Sequence, residues 1–222
     1  KRIKGIKRAA IASMVPCENG SYLLVDAGAN TDCRPEMLHQ FAMMGSMYLE
    51  SVRGIQRPRV GLVNIGAEET KGGQLQKDTY HLLEQDKNLN FTGNLEARGI
   101  PLGEADVVVC EAFVGNVILK LYEGVGATLL SKVKEGMMSS LRSKFGALLV
   151  KPALKETLKD FDLSEHGGAP LLGLNGLVVK THGSSTSKEI CNSIIQCVTF
   201  REQKINEKIK AAIQQETQEN LA

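Results

Sequence analysis

The stretch that decides the fold is ADVVVCEAFVGNVILKLYEG, residues 105–124. It begins with an apolar run that predicts a strand, passes a turn containing Gly115 and Asn116, and continues with apolar residues at helical spacing. A second stretch, GGAPLLGLNGLVVKTHGSS at residues 167–185, has the same layout. Such strand-to-helix turns point backbone N–H groups at one spot above a sheet, which is how many α/β proteins hold phosphate. The two stretches therefore predict an α/β fold with an anion site.

The rest of the chain alternates predicted strands and helices. Short apolar runs predict strands at residues 9–15, 21–26, 59–65, 90–93, 106–110, 171–174 and 177–180. Apolar residues at three- and four-residue spacing predict a helix at residues 116–141, and start and stop signals predict one at residues 35–53. Helices are also predicted at residues 74–85 and 185–219. The alternation favours a layered α/β sheet. Because the segment after Glu202 is rich in Gln, Glu and Lys, we expect it to fray.

The composition is that of an ordinary globular chain. Of 222 residues, 42% are hydrophobic and 23% are charged, and the formal net charge of +2 is too small to indicate nucleic-acid binding. The five cysteines form no C-x-x-C pair, which indicates free thiols in a reducing compartment. The four histidines have no ligand-like spacing to Cys or acidic residues, so no metal is expected. No apolar run approaches the roughly 20 residues needed to span a bilayer.

The first candidate site loop is DAGAN, which directly follows a predicted strand. Its small residues allow close backbone approach, and Asp26 and Asn30 are candidate substrate-binding residues. An equally good interpretation is a plain Asx turn, in which the two side chains only hold the loop together. The sequence leaves both interpretations open.

Two further strand-end loops are candidates for substrate binding. The loop NIGAEETKGG, residues 64–73, contains Asn64, Glu69 and Lys71 between glycines that permit a tight turn. It fits either a phosphate or acyl-chain rim, or a solvated charged loop. Asn94 lies in a similar turn, Gly-Asn-Leu-Glu, whose signal is weak by itself.

Two turns carry the candidate anion-binding groups. In the first, Gly115 and Asn116 precede Lys120 by one helical turn, and the alternative is a helix cap with a surface lysine. In the second, Lys180 and His182 alternate onto one face of a strand end, and the alternative is a structural histidine that caps a loop. The residues expected to open the following helix are Gly183, Ser184 and Ser185.

Cys110 ends a predicted strand beside Glu111. A small buried thiol is favoured over a catalytic nucleophile, because no histidine stands near it in the sequence. We therefore expect no acyl-cysteine chemistry at this position.

Together these segments resemble one family. Runs similar to DAGAN, NIGAEETKGG, ADVVVCEAFVGNVILKLYEG and LLGLNGLVVKTHGSS occur, in this order and at comparable separations, in the bacterial acyl-acyl-carrier-protein:phosphate acyltransferases of phospholipid synthesis, the PlsX family. The resemblance covers nearly every residue. Glu111 and Ala112 stand where the family usually has Asp-Gly, and Ala9 replaces a proline. Ala112 removes glycine's conformational freedom at that position.

The resemblance implies a fold and a reaction. The expected fold is a three-layer α/β/α arrangement similar to isocitrate and isopropylmalate dehydrogenases, with a protruding helical hairpin at residues 116–161. The expected reaction moves a fatty acyl group from acyl-acyl-carrier protein to inorganic phosphate, in a homodimer and without a metal or nucleotide cofactor. The acyl phosphate would pass to a membrane glycerol-3-phosphate acyltransferase. The expected location is therefore cytoplasmic, with peripheral membrane association.

Residues 1–222 are expected to be the C-terminal two-thirds of such an acyltransferase domain. The opening KRIKGIKRAAIASMVP resembles a basic interior loop and strand of the family, after about a third of its usual length. A D-x-M-G-G-D run, which contributes to the family's site, would precede it. We therefore expect this segment to be catalytically incomplete by itself.

The chemistry of such a transfer suits the candidate residues. Phosphate ionises at about pH 6, as phosphate esters do, so a nucleophilic dianion is present at neutral pH. The leaving thiolate, from a thiol of pKa about 8.5, needs little help from an acid. The protein must orient phosphate and then stabilise an oxyanion. Lys120 and Lys180, with the turn at residues 183–185, suit the first task. Asn116 and His182 suit the second.

A stretch after the long helix predicts a surface that touches the membrane. Its apolar residues are bordered by Arg142, Lys144, Lys155 and Lys159, a combination typical of proteins that lie on anionic lipid. The expected membrane contacts are Leu148, Leu149, Lys151, Leu154 and Leu158. An equally weighted alternative is a helical pair at a dimer interface.

Three other functions remain open. A hydroxyacid dehydrogenase of the same superfold would use nicotinamide and a divalent metal, but clustered aspartates and a cofactor loop are absent from the sequence. A phosphotransacetylase-like enzyme would use acyl-CoA instead of the carrier protein. A non-catalytic membrane-surface scaffold would bind lipid and turn nothing over.

Overall fold

The computed structural model describes residues 1–159 and 167–219, and thirteen helices and strands lie in these ranges. The strands are β1 (Ala10–Cys17), β2 (Gly20–Val25), β3 (Arg59–Asn64), β4 (Asn90–Glu96), β5 (Val107–Val109), β6 (Ala169–Leu172) and β7 (Val179–Lys180). The helices are α1 (Pro35–Arg53), α2 (Gln74–Gln85), α3 (Ala112–Met137), α4 (Leu141–Lys159), α5 (Ser187–Glu202) and α6 (Ile205–Glu219).

The described strands form one sheet in the order β4-β3-β5-β2-β1-β6-β7. Strands β2, β5, β3 and β4 are parallel to one another. Strand β1 is antiparallel to β2, β6 is antiparallel to β1, and β7 is antiparallel to β6. Strands β1 and β7 therefore run against the parallel strands, and their carboxyl ends face the opposite end of the sheet.

The central strand β5 shows why the fold is layered. Val107, Val108 and Val109 are fully buried, as expected for a parallel strand that is covered on both faces. Val107 and Val109 pack into a core under α1, α2, α5 and α6, whereas Val108 packs into a second core under the start of α3. The predicted layered α/β fold is confirmed.

Helix α1 begins and ends where the sequence predicts. Pro35 occupies its first turn, where the missing N–H costs nothing. Gly54 follows its last residue in the left-handed conformation, with φ of 68°. Between them, Leu38, Phe41 and Leu49 are buried in the core. This helix packs against β2 and β5 of the sheet.

A polar contact joins α1 to the end of α2. His39 Nε2 lies 2.8 Å from Asp86 Oδ2, and Asp86 Oδ1 accepts a hydrogen bond from Asn88 N at 2.9 Å. The His39 and Asp86 side chains are both largely buried. The hydrogen bond with His39 holds the pKa of Asp86 below its usual value.

Replacing Asp86 with asparagine is expected to lower the free energy of unfolding by about 1 kcal/mol at neutral pH, because a charge-assisted hydrogen bond is lost. An unfolded Asp titrates at about pH 3.9, and the folded pKa is lower. The stabilisation is therefore present above the unfolded pKa and is lost as the pH falls through the folded pKa. Urea unfolding across this range measures it, with Asp32→Asn, an exposed site, as the control. A difference that stays constant into acid would contradict the assignment.

The C-terminal segment forms two docked helices rather than one helix with a frayed tail. Lys204, with φ of 51°, separates α5 from α6. Ile205, Ile209 and Ile213 recur at four-residue spacing and are buried in the core beside α1. The expectation that residues after Glu202 fray is therefore wrong. The polar composition concealed a narrow apolar stripe, which is enough to dock a helix.

Helices α3 and α4 are the least buried part of the described chain. Helix α4 has no buried residue, and only Ala112 and Gly115 are buried in α3. The expected hairpin at residues 116–161 corresponds to these two helices as far as Lys159. Residues 160 and 161 lie outside the described residues.

Helix α3 also corrects an expectation about membrane-spanning segments. Its 26 residues include an 18-residue window with a mean hydropathy of 1.3, so that by length and composition alone it could cross a membrane. Only 6% of that window is buried. The expectation that no segment approaches this length is therefore wrong for α3. One helix of this kind is a weak indication, and it gives no account of where the helix lies.

Candidate active-site cleft

A cleft of about 630 Å³ opens at the carboxyl ends of β3, β4 and β5. Ligands of open α/β sheets bind at this end of the strands. The polar side chains that line the cleft are those of Asn64, Gln76, Glu96, Arg98 and Glu111, and Gly72 and Gly73 add backbone. The apolar wall includes Leu38, Leu62, Val63, Ile65 and Val114. An apolar wall beside a polar rim can accept a ligand that joins an apolar chain to an anionic group.

Asp26 is fully buried and organises the loop that follows β2. Its Oδ1 accepts hydrogen bonds from the backbone N–H groups of Ile11, Gly28 and Ala29, at 3.0 to 3.1 Å. Its Oδ2 accepts from the backbone and side-chain nitrogens of Asn30, at 2.8 and 2.7 Å. Both oxygens are fully engaged. The structure therefore favours the turn interpretation of DAGAN over direct contact between Asp26 and substrate.

The side chains of Asn64 and Asn94 hold the loop between β3 and α2, which borders the cleft. Asn64 Nδ2 donates to the Lys71 carbonyl at 3.1 Å, and Asn64 Oδ1 accepts from the next backbone N–H at 2.8 Å. Asn94 Nδ2 donates to the Glu68 carbonyl at 2.8 Å. Of these two asparagines, Asn64 lines the cleft. Both side chains therefore hold the loop in place, and their predicted contact with substrate stays a prediction.

Gly72 is required where this loop passes over β3. Its φ is 85°, and a β-carbon there would overlap the side-chain oxygen of Asn64. The predicted substrate-binding residues Glu69 and Lys71 precede it in the loop, where both are exposed and do not line the cleft. Their substrate-binding role stays a prediction.

Helix α3 begins at Ala112, four residues earlier than predicted, because Glu111 caps it. Glu111 Oε2 accepts from Phe113 N at 2.6 Å, and Oε1 accepts from Val114 N at 3.0 Å. The predicted turn at residues 113–116 is therefore helical. Two of its leading N–H groups are already bound to the Glu111 carboxylate, which favours the helix-cap alternative. Anion binding by Asn116 and Lys120 stays a prediction.

The first turn of α3 touches the DAGAN loop. A β-carbon on Gly115 would overlap the backbone carbonyl of Asp26, so this close approach requires glycine. The side-chain nitrogen of Asn116 lies 3.3 Å from the position that a β-carbon of Gly28 would take. Asn116 is thus placed between helix and loop near the cleft. Lys120, one turn further, forms an ion pair of 2.7 Å with the carboxylate three residues along.

The predicted cluster of Lys180, His182 and the following glycine and serines is exposed at the end of β7. His182 Nδ1 lies 2.6 Å from Ser184 Oγ and accepts a hydrogen bond from Ser184 N at 3.2 Å. Helix α5 begins only at Ser187, so Gly183 and the two serines precede it rather than open it.

Strand direction separates this cluster from the cleft. Strand β7 runs against β2, β5, β3 and β4, so its carboxyl end faces the opposite end of the sheet. Neither Lys180 nor His182 lines the cleft. The described structure therefore places the two stretches quoted first at different ends of the sheet, and anion binding by Lys180 and His182 stays a prediction. The antiparallel pairing at this edge carries no signal in sequence periodicity.

Arg98 is a cleft residue that the sequence interpretation missed. It lies two residues after β4, and its Nε is 2.9 Å from Glu96 Oε2. The predicted strand ended at residue 93, so Arg98 was not recognised as a strand-end residue. The run Leu-Glu-Ala-Arg, with alternating polar residues after a strand, could have revealed it.

Cys110 is fully buried at the end of β5, with Sγ 3.9 Å from the Asp26 carbonyl. Burial first, and then the carboxylates of Glu111 and Asp26, raise the pKa of this thiol well above its usual value. A thiol held in this form is a poor nucleophile. The prediction of an inert buried thiol is supported by this environment.

Replacing Cys110 with alanine is therefore expected to leave the turnover number of the active protein within about twofold of wild type, apart from a small packing loss. Steady-state kinetics measures this, and Cys191→Ala, which changes an exposed thiol, is the control. Intact-protein mass spectrometry during turnover is the second readout. An acyl group trapped on any cysteine would show that the reaction passes through the enzyme.

Glu69, His81 and Glu84 come together beside the loop between β3 and α2, with candidate ligand atoms within 4.8 Å of one another. The spacing of histidines in the sequence did not indicate this group, because Glu69 comes from the loop and the other two from α2. All three are exposed. Exposed acidic groups of this kind are common in proteins without a metal, so the arrangement by itself assigns none.

The fold is shared with enzymes that transfer acyl groups. A phosphotransacetylase from Streptococcus pyogenes superposes with a TM-score of 0.57 and 17% identity, covering 93% of this chain and 56% of that one. A branched-chain phosphotransacylase from Enterococcus faecalis superposes with a TM-score of 0.51 and 15% identity, covering 86% of this chain and 64% of that one. At these identities the likeness shows the fold alone.

The sequence goes further and gives the family. Residues 1–208 match the fatty acid synthesis protein family, and the chain belongs to it. A phosphate acyltransferase from Clostridium acetobutylicum is 50% identical over 214 residues, which are 96% of this chain and 64% of that protein. One from Caldicellulosiruptor saccharolyticus is 48% identical over 217 residues, 98% of this chain and 65% of that protein. The chain thus spans about 64% of the length of such relatives.

Proposed function

We propose that the protein containing this chain is a phosphate acyltransferase. It would move a fatty acyl group from acyl-acyl-carrier protein to inorganic phosphate and supply acyl phosphate for phospholipid synthesis. The observation that carries the proposal is 50% identity, over 96% of this chain, to a protein named phosphate acyltransferase. The cleft adds a physical argument, since it combines an apolar wall with polar groups at the strand ends.

The proposed reaction requires little acid–base catalysis by the protein. A phosphate oxygen attacks the thioester carbon, the resulting tetrahedral oxyanion collapses, and the carrier thiolate leaves and takes a proton from water. What the protein must supply is orientation of two anionic reactants and donors for the oxyanion. Asn116, exposed beside the DAGAN loop, is suited to donate to the oxyanion. The proposal also keeps phosphate orientation by Lys120 and Lys180, and stabilisation of the oxyanion by His182, as predictions.

The test is formation of acyl phosphate by the purified protein that contains this chain. Palmitoyl-carrier protein and inorganic phosphate are the substrates, and hydroxylamine traps the product as a hydroxamate. Controls omit phosphate or replace the carrier protein with acyl-CoA. Product from the carrier-protein donor supports the proposal. A strong preference for acyl-CoA would favour the phosphotransacetylase-like alternative, and lipid binding without turnover would favour the scaffold.

We also propose that α4 touches the membrane surface, with the protein otherwise in the cytoplasm beside a membrane glycerol-3-phosphate acyltransferase. Leu148 and Leu149 are about two-thirds exposed. Lys151 and Lys155 are exposed in the same helix. Basic residues bordering exposed apolar ones suit an anionic lipid surface. A homodimer in which a second copy covers α3 and α4 is the competing occupant of the same surface, and both arrangements fit the exposed leucines.

Leu149→Glu is expected to reduce flotation with vesicles of phosphatidylglycerol and phosphatidylcholine by about fivefold or more, because it places a like charge against anionic lipid. Gln56→Glu adds the same charge in an exposed loop before β3 and is the matched control. Analytical ultracentrifugation of both variants reports the oligomeric state. Flotation equal to wild type would reject the lipid contact, and dissociation of a dimer by Leu149→Glu would favour the dimer interface.

A further inference from the structure

The cleft contains one cationic side chain among its described lining residues, and that side chain is Arg98. Its Nε lies 2.9 Å from Glu96 Oε2. Within residues 1–159 and 167–219, its two terminal nitrogens donate no hydrogen bond. The Arg98 side chain is 84% exposed, so these four N–H donors are available to a ligand in the cleft.

Both carboxylates of the cleft are already engaged by positive groups. Glu111 uses both oxygens to cap α3, where they face the positive end of the helix. Glu96 is the partner of Arg98. A third anion in the cleft would therefore meet Arg98 rather than an uncompensated carboxylate.

Backbone groups at the start of α2, which also borders the cleft, favour the same charge. Helix α2 begins after Gly73, which has no side chain to cap it, and its first turn has no acidic residue. The Gly73 N–H donates to Gln76 Oε1 at 3.2 Å. In the described structure the N–H groups of Gln74 and Leu75 have no acceptor. Gly72 and Gly73 line the cleft, so the positive end of α2 faces the space that Arg98 borders.

We propose that Arg98 binds the phosphoryl anion in this cleft, with the first turn of α2 as the second donor. This inference rests on the proposed phosphate acyltransferase function and names the group that holds its acceptor, inorganic phosphate. A planar guanidinium with two free nitrogens can bind two phosphate oxygens at once. Phosphate placed there lies beside the apolar wall, where the acyl thioester would be held.

The lysines near these loops are less well placed than Arg98 to bind phosphate in the cleft. Lys120 is paired with Glu123 at 2.7 Å. Lys180 lies at the end of β7, which faces away from the cleft, and Lys71 does not line it. Because the sequence favours Lys180 and the structure favours Arg98, the two residues give a direct comparison.

Arg98→Gln is expected to raise the KM for inorganic phosphate by about 10- to 100-fold, as for other lost charge-assisted contacts, with the KM for the acyl donor within about twofold. Arg98→Lys should recover part of the loss, because charge returns without the two-pronged geometry. Arg57→Gln removes the same charge at the amino end of β3 and should leave both constants unchanged. The double variant Glu96→Gln with Arg98→Gln preserves net charge and should keep the raised phosphate KM.

Equilibrium dialysis with radiolabelled inorganic phosphate separates this inference from the proposed function. Weaker phosphate binding by Arg98→Gln, with circular dichroism unchanged, supports Arg98 even if no acyl phosphate is formed by any variant. Wild-type phosphate binding by Arg98→Gln overturns the inference while the acyltransferase function stands. A raised KM for the carrier-protein donor alone, which would assign Arg98 to the phosphodiester of the donor's pantetheine arm, also overturns it. A raised phosphate KM in Lys180→Ala, with an unchanged phosphate KM in Arg98→Gln, would overturn the inference as well.

Discussion

Replacing Asp26 with alanine is expected to lower the free energy of unfolding by about 3–5 kcal/mol, or to prevent folding. The carboxylate is fully buried and accepts five hydrogen bonds, from the backbone of Ile11, Gly28, Ala29 and Asn30 and from the Asn30 side chain. Each buried donor left without an acceptor costs roughly 1–3 kcal/mol, although relaxation and water recover part of the sum.

Urea unfolding followed by circular dichroism measures this loss. Asp32→Ala is the matched control, because Asp32 is an exposed acid in the same segment. The loss of unfolding free energy for Asp26→Asn should lie between those for Asp32→Ala and Asp26→Ala. Asparagine retains one acceptor oxygen, but its amide N–H groups would face backbone N–H donors. If Asp26→Ala were as stable as Asp32→Ala while losing activity, Asp26 would be a substrate-binding residue and the turn interpretation would be wrong.

Replacing Ile209 with alanine is expected to cost about 2–4 kcal/mol of unfolding free energy. Ile209 is fully buried between α6 and the core beside α1, and removing a buried branched side chain loses both transfer free energy and packing. Gln214→Ala is the control, because it changes an exposed residue of the same helix. Thermal or urea unfolding reports the difference. Equal stability of the two variants would show that α6 is not docked, as the polar composition of the tail suggested.

Helix α1 was the most predictable helix of this fold. Proline at the start of α1 and glycine after its end gave both boundaries, because each residue acts on its local backbone. The start of α3 was missed because Glu111 follows a strand and caps through its side chain, which a spacing rule does not detect. Strand β4 was predicted too short because Asn94 and Glu96 are polar residues within it.

The site was less predictable because it depends on strand direction. Loops after β3, β4 and β5 could be assigned to one edge of the sheet, since alternating strands and helices favour parallel pairing. The last strands are joined without helices and pair antiparallel, which reverses the end at which Lys180 emerges. Burial was the second unknown. The sequence shows that the DAGAN loop contains an aspartate, but only the fold shows that Asp26 is buried and accepts five internal hydrogen bonds.

Helix α3 is anchored at its base, where Gly115 lies against the Asp26 carbonyl. At about 1.5 Å for each of its 26 residues, the helix is about 39 Å long; it packs on the second core as far as Tyr122 and is largely exposed beyond it. A tilt of about 5° at Tyr122 would move the far end, roughly 23 Å away, by about 2 Å. We expect a lipid surface or a second copy of the chain that binds the far end of α3 to bias this tilt. Because Gly115 lies against the Asp26 carbonyl at the base of the same helix, the DAGAN loop is the first part of the sheet edge that such binding would reach.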